Sequence, residues 1–173
     1  AAAQVAAVPY DVVDTEEART LAAGNPLSFL HVSRAEIDLP DGSVPHGDAV
    51  YELAKKNFER LKEEAPLIVE NTPRLYVYRL QMGNHSQVGL AGCFSIDEYE
   101  RGTIRKHEHT RRDKEDDRTR HLLKLGAQTG PVFLTYRTRP TVDALIERVM
   151  SAPPLYDFAA VDGVQHTIWA IEP

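Results

Sequence analysis

Two runs near the middle of the chain, RLYVYRLQM at 74–82 and QVGLAGCFSI at 87–96, constrain its fold more than any other feature. In the first, Leu75, Val77 and Arg79 alternate with Tyr76, Tyr78 and Leu80, the period-2 pattern of a strand with two distinct faces. GNHS between the runs supplies Gly83-Asn84, residue types that accept positive φ, so the two runs fold back on each other as a β-hairpin. A second hairpin is expected near the end, where YDFAAVDG and VQHTIWAIE flank Asp162-Gly163. Cys93 alternates inward as a small buried hydrophobe, and Trp169 and Ile171 read as core.

Helical signals surround these hairpins. From Asp48 to Glu64, Val50, Leu53, Ala54, Phe58 and Leu61 recur at helical spacing with charges opposite, which predicts an amphipathic helix. TEEARTLAAGNP predicts a short helix capped by Thr15 and stopped at Gly24, and SIDEYERGTI a helical turn capped by Ser95 or Asp97 and ended by Gly102. DKEDDRTRHLLKLGAQTG predicts a helix with Asp113 as cap, and PTVDALIERVMSAPP one opened by Pro140 and closed by Pro153. SFLHVSRAEIDLP and PVFLTYR (131–137) read as strands. Without a steady βαβ alternation, linker tracts or repeats, the expectation is one domain over residues 1–173. Its class is α+β, a mixed, mainly antiparallel sheet with β-hairpins and three to four packed helices.

The formal net charge is −6, which argues against a nucleic-acid partner, but the charge is unevenly spread. Residues 101–121 carry eight Lys/Arg against five acids, a +3 island in a remainder at −9. A single cysteine excludes an intrachain disulfide and fits a reducing cytoplasm, and no apolar run approaches the length of a membrane span.

The island reads as chemistry. RKHEHTRRDKEDDRTRH places Arg105, Lys106, His107, His109, Thr110, Arg111 and Arg112 in a loop that runs into a helix starting near Asp113. Backbone N–H groups at a helix start beside planar guanidinium groups suit a phosphate, and Glu108 and nearby carboxylates suit Mg²⁺. The alternative is a solvated charged helix held by i,i+4 pairs. Asp113 and Asp117 share a helix face while Glu115 points elsewhere, so some of these acids only complement the helix dipole. His107 and His109 are two apart, but HExxH is absent and Cys93 offers no thiolate pair, which disfavours zinc. Tyr10 and Asp11 follow Pro9 in either a turn or a substrate-facing loop, and with Arg118 complete the candidate set.

VPYDVV, NPLSFLHVSRAEIDLP, YERGTIRKHEHTRRDKEDDRTRH, GPVFLTYR and DGVQHTIWAIE together resemble the bacterial and archaeal family called domain of unknown function 1015, over nearly the whole chain. The chain opens without Met and lacks the downstream DGHHR-type motif of that family, so the resemblance implies an N-terminal part of a longer protein. A more distant similarity links Glu108, His109 and Arg112 to the E-N-x-x-R spacing of the ParB/sulfiredoxin-like group, with His replacing Asn. That group includes CTP-binding partition proteins and ADP-dependent free serine kinases, in which the acid lies near metal and phosphates and the Arg contacts phosphate.

The resulting expectation is a nucleotide- and Mg-dependent phosphotransferase or phosphatase acting on a small hydroxylated or phosphorylated metabolite such as serine or phosphoserine. Glu108, Arg111 and Arg112 would be catalytic, Glu108 would organise the metal, and this part of the protein alone would be inactive. The alternatives are a non-catalytic nucleotide-sensing or DNA-associated ParB-like module, and a structural half-domain whose basic loop docks the rest of the same protein.

Overall fold

Helix α4, Asp48–Glu64, carries the expected apolar stripe and organises the helical part of the protein in this computed structural model. The structure describes residues 2–43, 46–65, 67–107 and 110–172. The stripe buries Val50, Ala54 and Leu61, which pack with Val32, Ala35, Ala65 and Leu125. It also buries two polar residues, Tyr51 and Asn57. A second apolar cluster joins Ala18 and Ala22 of α2 (Thr15–Ala22) to Leu30 and Ile37.

The described residues hold seven α-helices. Three of them, α1 (Ala2–Val5), α3 (Leu30–Ser33) and α5 (Ile96–Glu100), span only four or five residues, leaving four substantial ones. Those four are α2, α4, α6 (Arg112–Leu125) and α7 (Pro140–Met150). Four strands, β1 (Tyr76–Met82), β2 (His85–Ala91), β3 (Tyr156–Ala159) and β4 (Gln165–Ala170), form an antiparallel sheet in the order β2-β1-β4-β3. The architecture is α+β, as the sequence predicts.

Both hairpins form. The first closes more tightly than GNHS suggests: Met82 pairs with His85 across Gly83-Asn84, and Gly83 supplies the positive φ of 55°. Gly163, at φ 80°, turns the second. The two hairpins then join edge to edge, with Val77 opposite Trp169 and Arg79 opposite Thr167. Helix α7 covers the face bearing Val77 and Trp169, and Ile146 fills the space between them.

Several expectations give way to tertiary context. SFLHVSRAEIDLP forms α3 and a 3₁₀ turn at Ala35–Asp38, not a strand. Its apolar residues serve two neighbours, Leu30 and Ile37 facing the α2 cluster and Val32 and Ala35 the α4 cluster, which imitates a strand-like alternation. Residues 131–137 form neither helix nor ladder, and Val132, Phe133, Leu134 and Tyr136 are exposed, because no described strand lies alongside to accept their backbone groups. Cys93 is exposed, since the ladder of β2 ends at Ala91 before reaching it.

Cap assignments shift by one or two residues. Asp14, not Thr15, caps α2: its carboxylate accepts from the Glu17 N–H at 2.8 Å, and the Glu17 carboxylate accepts from the Asp14 N–H at 2.9 Å. Ser95 caps α5 as expected, through the Glu98 N–H. Asp113 is not the cap of α6; that position is Arg111, which makes no side-chain cap bond. Asp14→Ala removes a reciprocal pair of bonds and is expected to lower stability by about 1 kcal/mol, read as a drop in melting temperature with native circular dichroism retained.

Candidate functional site

Helix α6 turns an unusual stripe toward α4: Asp117, His121 and Leu125, at i, i+4 and i+8, are its buried residues. Only the last is apolar, so the first two need partners. Asp117, 7% exposed, receives hydrogen bonds on one carboxylate oxygen from the Tyr51 hydroxyl at 2.7 Å and from His46 Nδ1 at 2.6 Å. Its other oxygen receives Arg118 Nε and an Arg118 terminal nitrogen at 2.8 and 2.6 Å. His121 Nε2 lies 3.0 Å from the Val32 carbonyl, and its ring meets Tyr51 edge-on.

Burial raises the Asp117 carboxyl, yet bonds from Tyr51 and Arg118 and the charges of Arg118 and His46 outweigh it, and the net direction is downward. The Tyr51 phenol is pushed up to about 12 by burial and by the neighbouring Asp117 carboxylate. Burial holds the His121 imidazole below the usual histidine value, against a smaller opposing effect of the Val32 carbonyl. The cluster is therefore set as carboxylate, phenol and neutral His121 at neutral pH.

The surrounding chain is fastened to this cluster. His46 has a left-handed backbone, φ 56°, which turns its ring back toward Asp117. Arg120 donates to the His46 carbonyl at 3.3 Å and to the Asp48 carboxylate at 2.7 Å, and its guanidinium lies over the Tyr51 ring. The guanidinium of Arg118 stacks on Tyr10, 4.1 Å from the ring centroid. Beside His46 opens a cleft of about 400 Å³, whose walls include Thr15, Arg19, Arg34, Glu36 and Ser43.

Two of the sequence-predicted residues, Tyr10 and Arg118, thus meet directly, although they are far apart in the chain. Asp11 lies exposed in the turn after Pro9. Arg105, Lys106, His107, Thr110, Arg111 and Arg112 are all exposed, with the Lys106 ammonium over the Tyr99 ring at 4.7 Å. Glu108 and His109 lie outside the described residues. Arg111 grips Asp113 with two parallel bonds, Nε to one oxygen at 3.1 Å and a terminal nitrogen to the other at 2.7 Å. That contact holds the Asp113 carboxyl below its usual range. Arg111 stands at the N-terminal boundary of α6, and Arg118 lies about two helical turns further along it.

Sequence reasoning missed His46, Tyr51, Arg120 and His121. Of these only His121 carried a signal: with Asp117 and Leu125 it follows a helical stripe in which polar residues occupy inward positions. Among the described residues no group of three His, Cys, Asp or Glu side chains is arranged to hold a metal ion, and no helix is long and apolar enough to cross a membrane.

A family model described as a protein of unknown function (DUF1015) matches residues 1–173. The chain belongs to this family. No curated protein and no solved structure matches it.

The cluster makes two testable demands on this DUF1015 chain. Asp117→Ala leaves the Tyr51 hydroxyl and Arg118 without their acceptor and should cost about 2–3 kcal/mol, measured by denaturant unfolding. His121 and His166 both have folded-state values below that of an unfolded histidine. The unfolded chain therefore binds more protons as pH falls below about 6.5, and their stabilising contribution declines on acidification. Asp117 adds a further loss below about pH 3.8, as its depressed carboxyl is finally protonated. The melting temperature should fall between pH 7 and pH 5, with a shallower slope in His121→Gln.

Proposed function

We propose that this chain is the phosphate-recognising part of a nucleotide- and Mg-dependent phosphotransferase or phosphatase, acting in the cytoplasm on a small hydroxylated or phosphorylated metabolite. The observation that carries the reading is the start of α6. There a helix of 14 residues opens without a side-chain cap behind Arg111, Arg112 is exposed in its first turn, and Arg105 and Lys106 are exposed earlier in the same loop. Arg111 already grips a carboxylate with its planar fork, the geometry by which a guanidinium takes two oxygens of a phosphate. Asp113 then stands where an incoming anion would bind and competes with it.

In this reading Arg111 and Arg112 neutralise charge on the transferring phosphoryl group, and Arg105, Lys106, His107, His109 and Thr110 line the phosphate. Arg118, stacked on Tyr10 about two turns further along the helix, faces the substrate end, with Asp11 next to Tyr10 in the chain. Positioning and charge compensation dominate such catalysis. Glu108 belongs to the proposal as the acid nearest the metal, by analogy with the ParB/sulfiredoxin-like group. The described carboxylates Asp113 and Asp117 are already engaged by Arg111 and by Tyr51, His46 and Arg118, and form no magnesium cradle. Magnesium would then arrive on the nucleotide's own phosphates, with Glu108 as the one carboxylate of this proposal beside it.

Thermal-shift measurements with nucleoside di- and triphosphates, each with and without Mg²⁺, test this on the full-length gene product and on this chain. The expected result is a rise of several degrees at saturating nucleotide, lost in Arg111→Ala and enlarged in Asp113→Asn, which removes the competing carboxylate's charge. No shift with any nucleotide would overturn the reading.

A second reading has its own support. Val132 and Phe133, 78% and 74% exposed, belong to an apolar run with no described partner, as expected of a half-domain that docks against more of the same protein. In that case Arg111→Ala and Glu108→Ala would leave nucleotide binding intact while weakening association between the two parts.

A further inference from the structure

Among the described histidines, His46 alone combines a buried carboxylate on one ring nitrogen with an exposed ring edge on a cleft. His31 has both nitrogens occupied, Nδ1 by Asp38 at 2.9 Å and Nε2 by the Asn25 carbonyl at 3.1 Å, so it is a fixed post. His121 is buried, with Nε2 on the Val32 carbonyl, and His166 Nδ1 is taken by the Tyr78 hydroxyl at 2.5 Å. Exposed His85 and His107 have no carboxylate bond among the described contacts.

The surroundings of His46 fix its ring. Asp117, a buried acceptor, requires a proton on Nδ1, which leaves the lone pair of the neutral ring on Nε2. Asp117 itself cannot swing away, because Tyr51 and Arg118 bind both of its oxygens. The His46 backbone is left-handed, and Arg120 donates to its carbonyl. His46 is 54% exposed and forms part of the cleft wall. This is the arrangement in which a carboxylate orients an imidazole so that its far nitrogen exchanges a proton with a bound group.

The cleft also limits the ligand. Its two arginines are already compensated, Arg19 by Glu16 and Asp41 at 2.5 and 3.3 Å, and Arg34 by Glu36 at 3.0 Å. Thr15 and Ser43 add hydroxyl groups to the wall. A pocket of this size in which two arginines face three carboxylates, Glu16, Glu36 and Asp41, disfavours a polyphosphate and suits a small, polar, hydroxyl-bearing compound.

We propose that His46 Nε2 is the proton acceptor for the hydroxyl of a small polar substrate bound in this cleft, with Asp117 as its positioning residue. The inference rests on the phosphotransferase reading only for the reaction it serves. In that reaction the substrate O–H bond breaks and its proton passes to Nε2. The freed oxygen pair forms the new O–P bond to the nucleotide's terminal phosphoryl group, while the bond from that phosphorus to the leaving phosphate oxygen breaks. The imidazolium, held by Asp117, then returns its proton to water.

Three measurements test the assignment. Long-range ¹H–¹⁵N spectra of the ¹⁵N-labelled chain at pH 8 should show His46 protonated at Nδ1 and bare at Nε2, with that preference lost in Asp117→Asn. A dominant Nε2–H form in the unsubstituted chain overturns the proposal. Diethyl pyrocarbonate, which acylates an imidazole lone pair, should modify His46 at least about five-fold faster than exposed His85, and Asp117→Asn should abolish the difference. Equal rates in the unsubstituted chain overturn it as well. In the full-length gene product, transfer from ATP to a panel of small alcohols, hydroxy acids and sugars gives the third readout. His46→Asn keeps a residue that tolerates the left-handed backbone, and should lower kcat at least about 100-fold with KM for ATP within two-fold. Arg111→Ala should instead raise KM for ATP, and unchanged kcat in His46→Asn overturns the proposal. If no nucleotide binds while the tautomer and acylation results hold, the phosphotransferase reading fails and the proton-acceptor assignment stands.

Discussion

A carboxylate withdrawn from water must be compensated, and the organisation of the helical part follows from how Asp117 meets that demand. One oxygen draws in Tyr51 from α4 and His46 from the segment before it, and the other holds Arg118. Arg118 in turn carries Tyr10 on its face. Three stretches distant in sequence, at Tyr10, at His46 to Tyr51 and at Asp117-Arg118, thus meet around this carboxylate. Such a carboxylate is not a large net source of stability, because desolvation consumes much of the attraction. Its effect is on register: rotating α6 by one residue would replace Asp117 with Asp116 or Arg118 and leave the Tyr51 hydroxyl facing the wrong group.

The same helix carries two kinds of charge on two faces. Inward, Asp117 and His121 are held by specific partners. Toward its exposed start, Arg111 and the cations before it concentrate positive charge in a molecule whose net charge is −6. Because the inner face is polar, the position of the outer arginines depends on hydrogen bonds as well as on apolar packing. Hydrogen bonds are directional, so the guanidinium of Arg118 is aimed more closely than a surface arginine on a Leu-lined helix would be.

Both hairpins, α4, α7 and the helix following the basic loop were legible in the sequence because local chemistry and tertiary need agree there. Gly83 and Gly163 adopt the positive φ that their turns require, and Pro140 opens α7 where its missing N–H costs nothing. The run at 28–40 has strand-like spacing but folds as helical turns, because Leu30, Val32, Ala35 and Ile37 answer to two packing partners at once and their spacing reports both. Residues 131–137 have strand chemistry but no described strand to pair with, and a ladder cannot form from one side. In the candidate site, the basic loop was legible from its charge, whereas the Asp117 cluster was not. His46, Tyr51 and Asp117 are unremarkable individually, and only the packing of α6 on α4 brings them together.

Trp169, the one tryptophan in the chain, is buried in the sheet beneath α7, with its indole N–H on the Ala152 carbonyl and Arg79 over its ring. Intrinsic indole emission therefore reports on the sheet and α7 and is nearly silent about α4, α6 and His46. Opening of the helical part would pass unseen at that wavelength, whereas Tyr10 and Tyr51, each under an arginine, lie within the region that opens and would register it in their own absorbance.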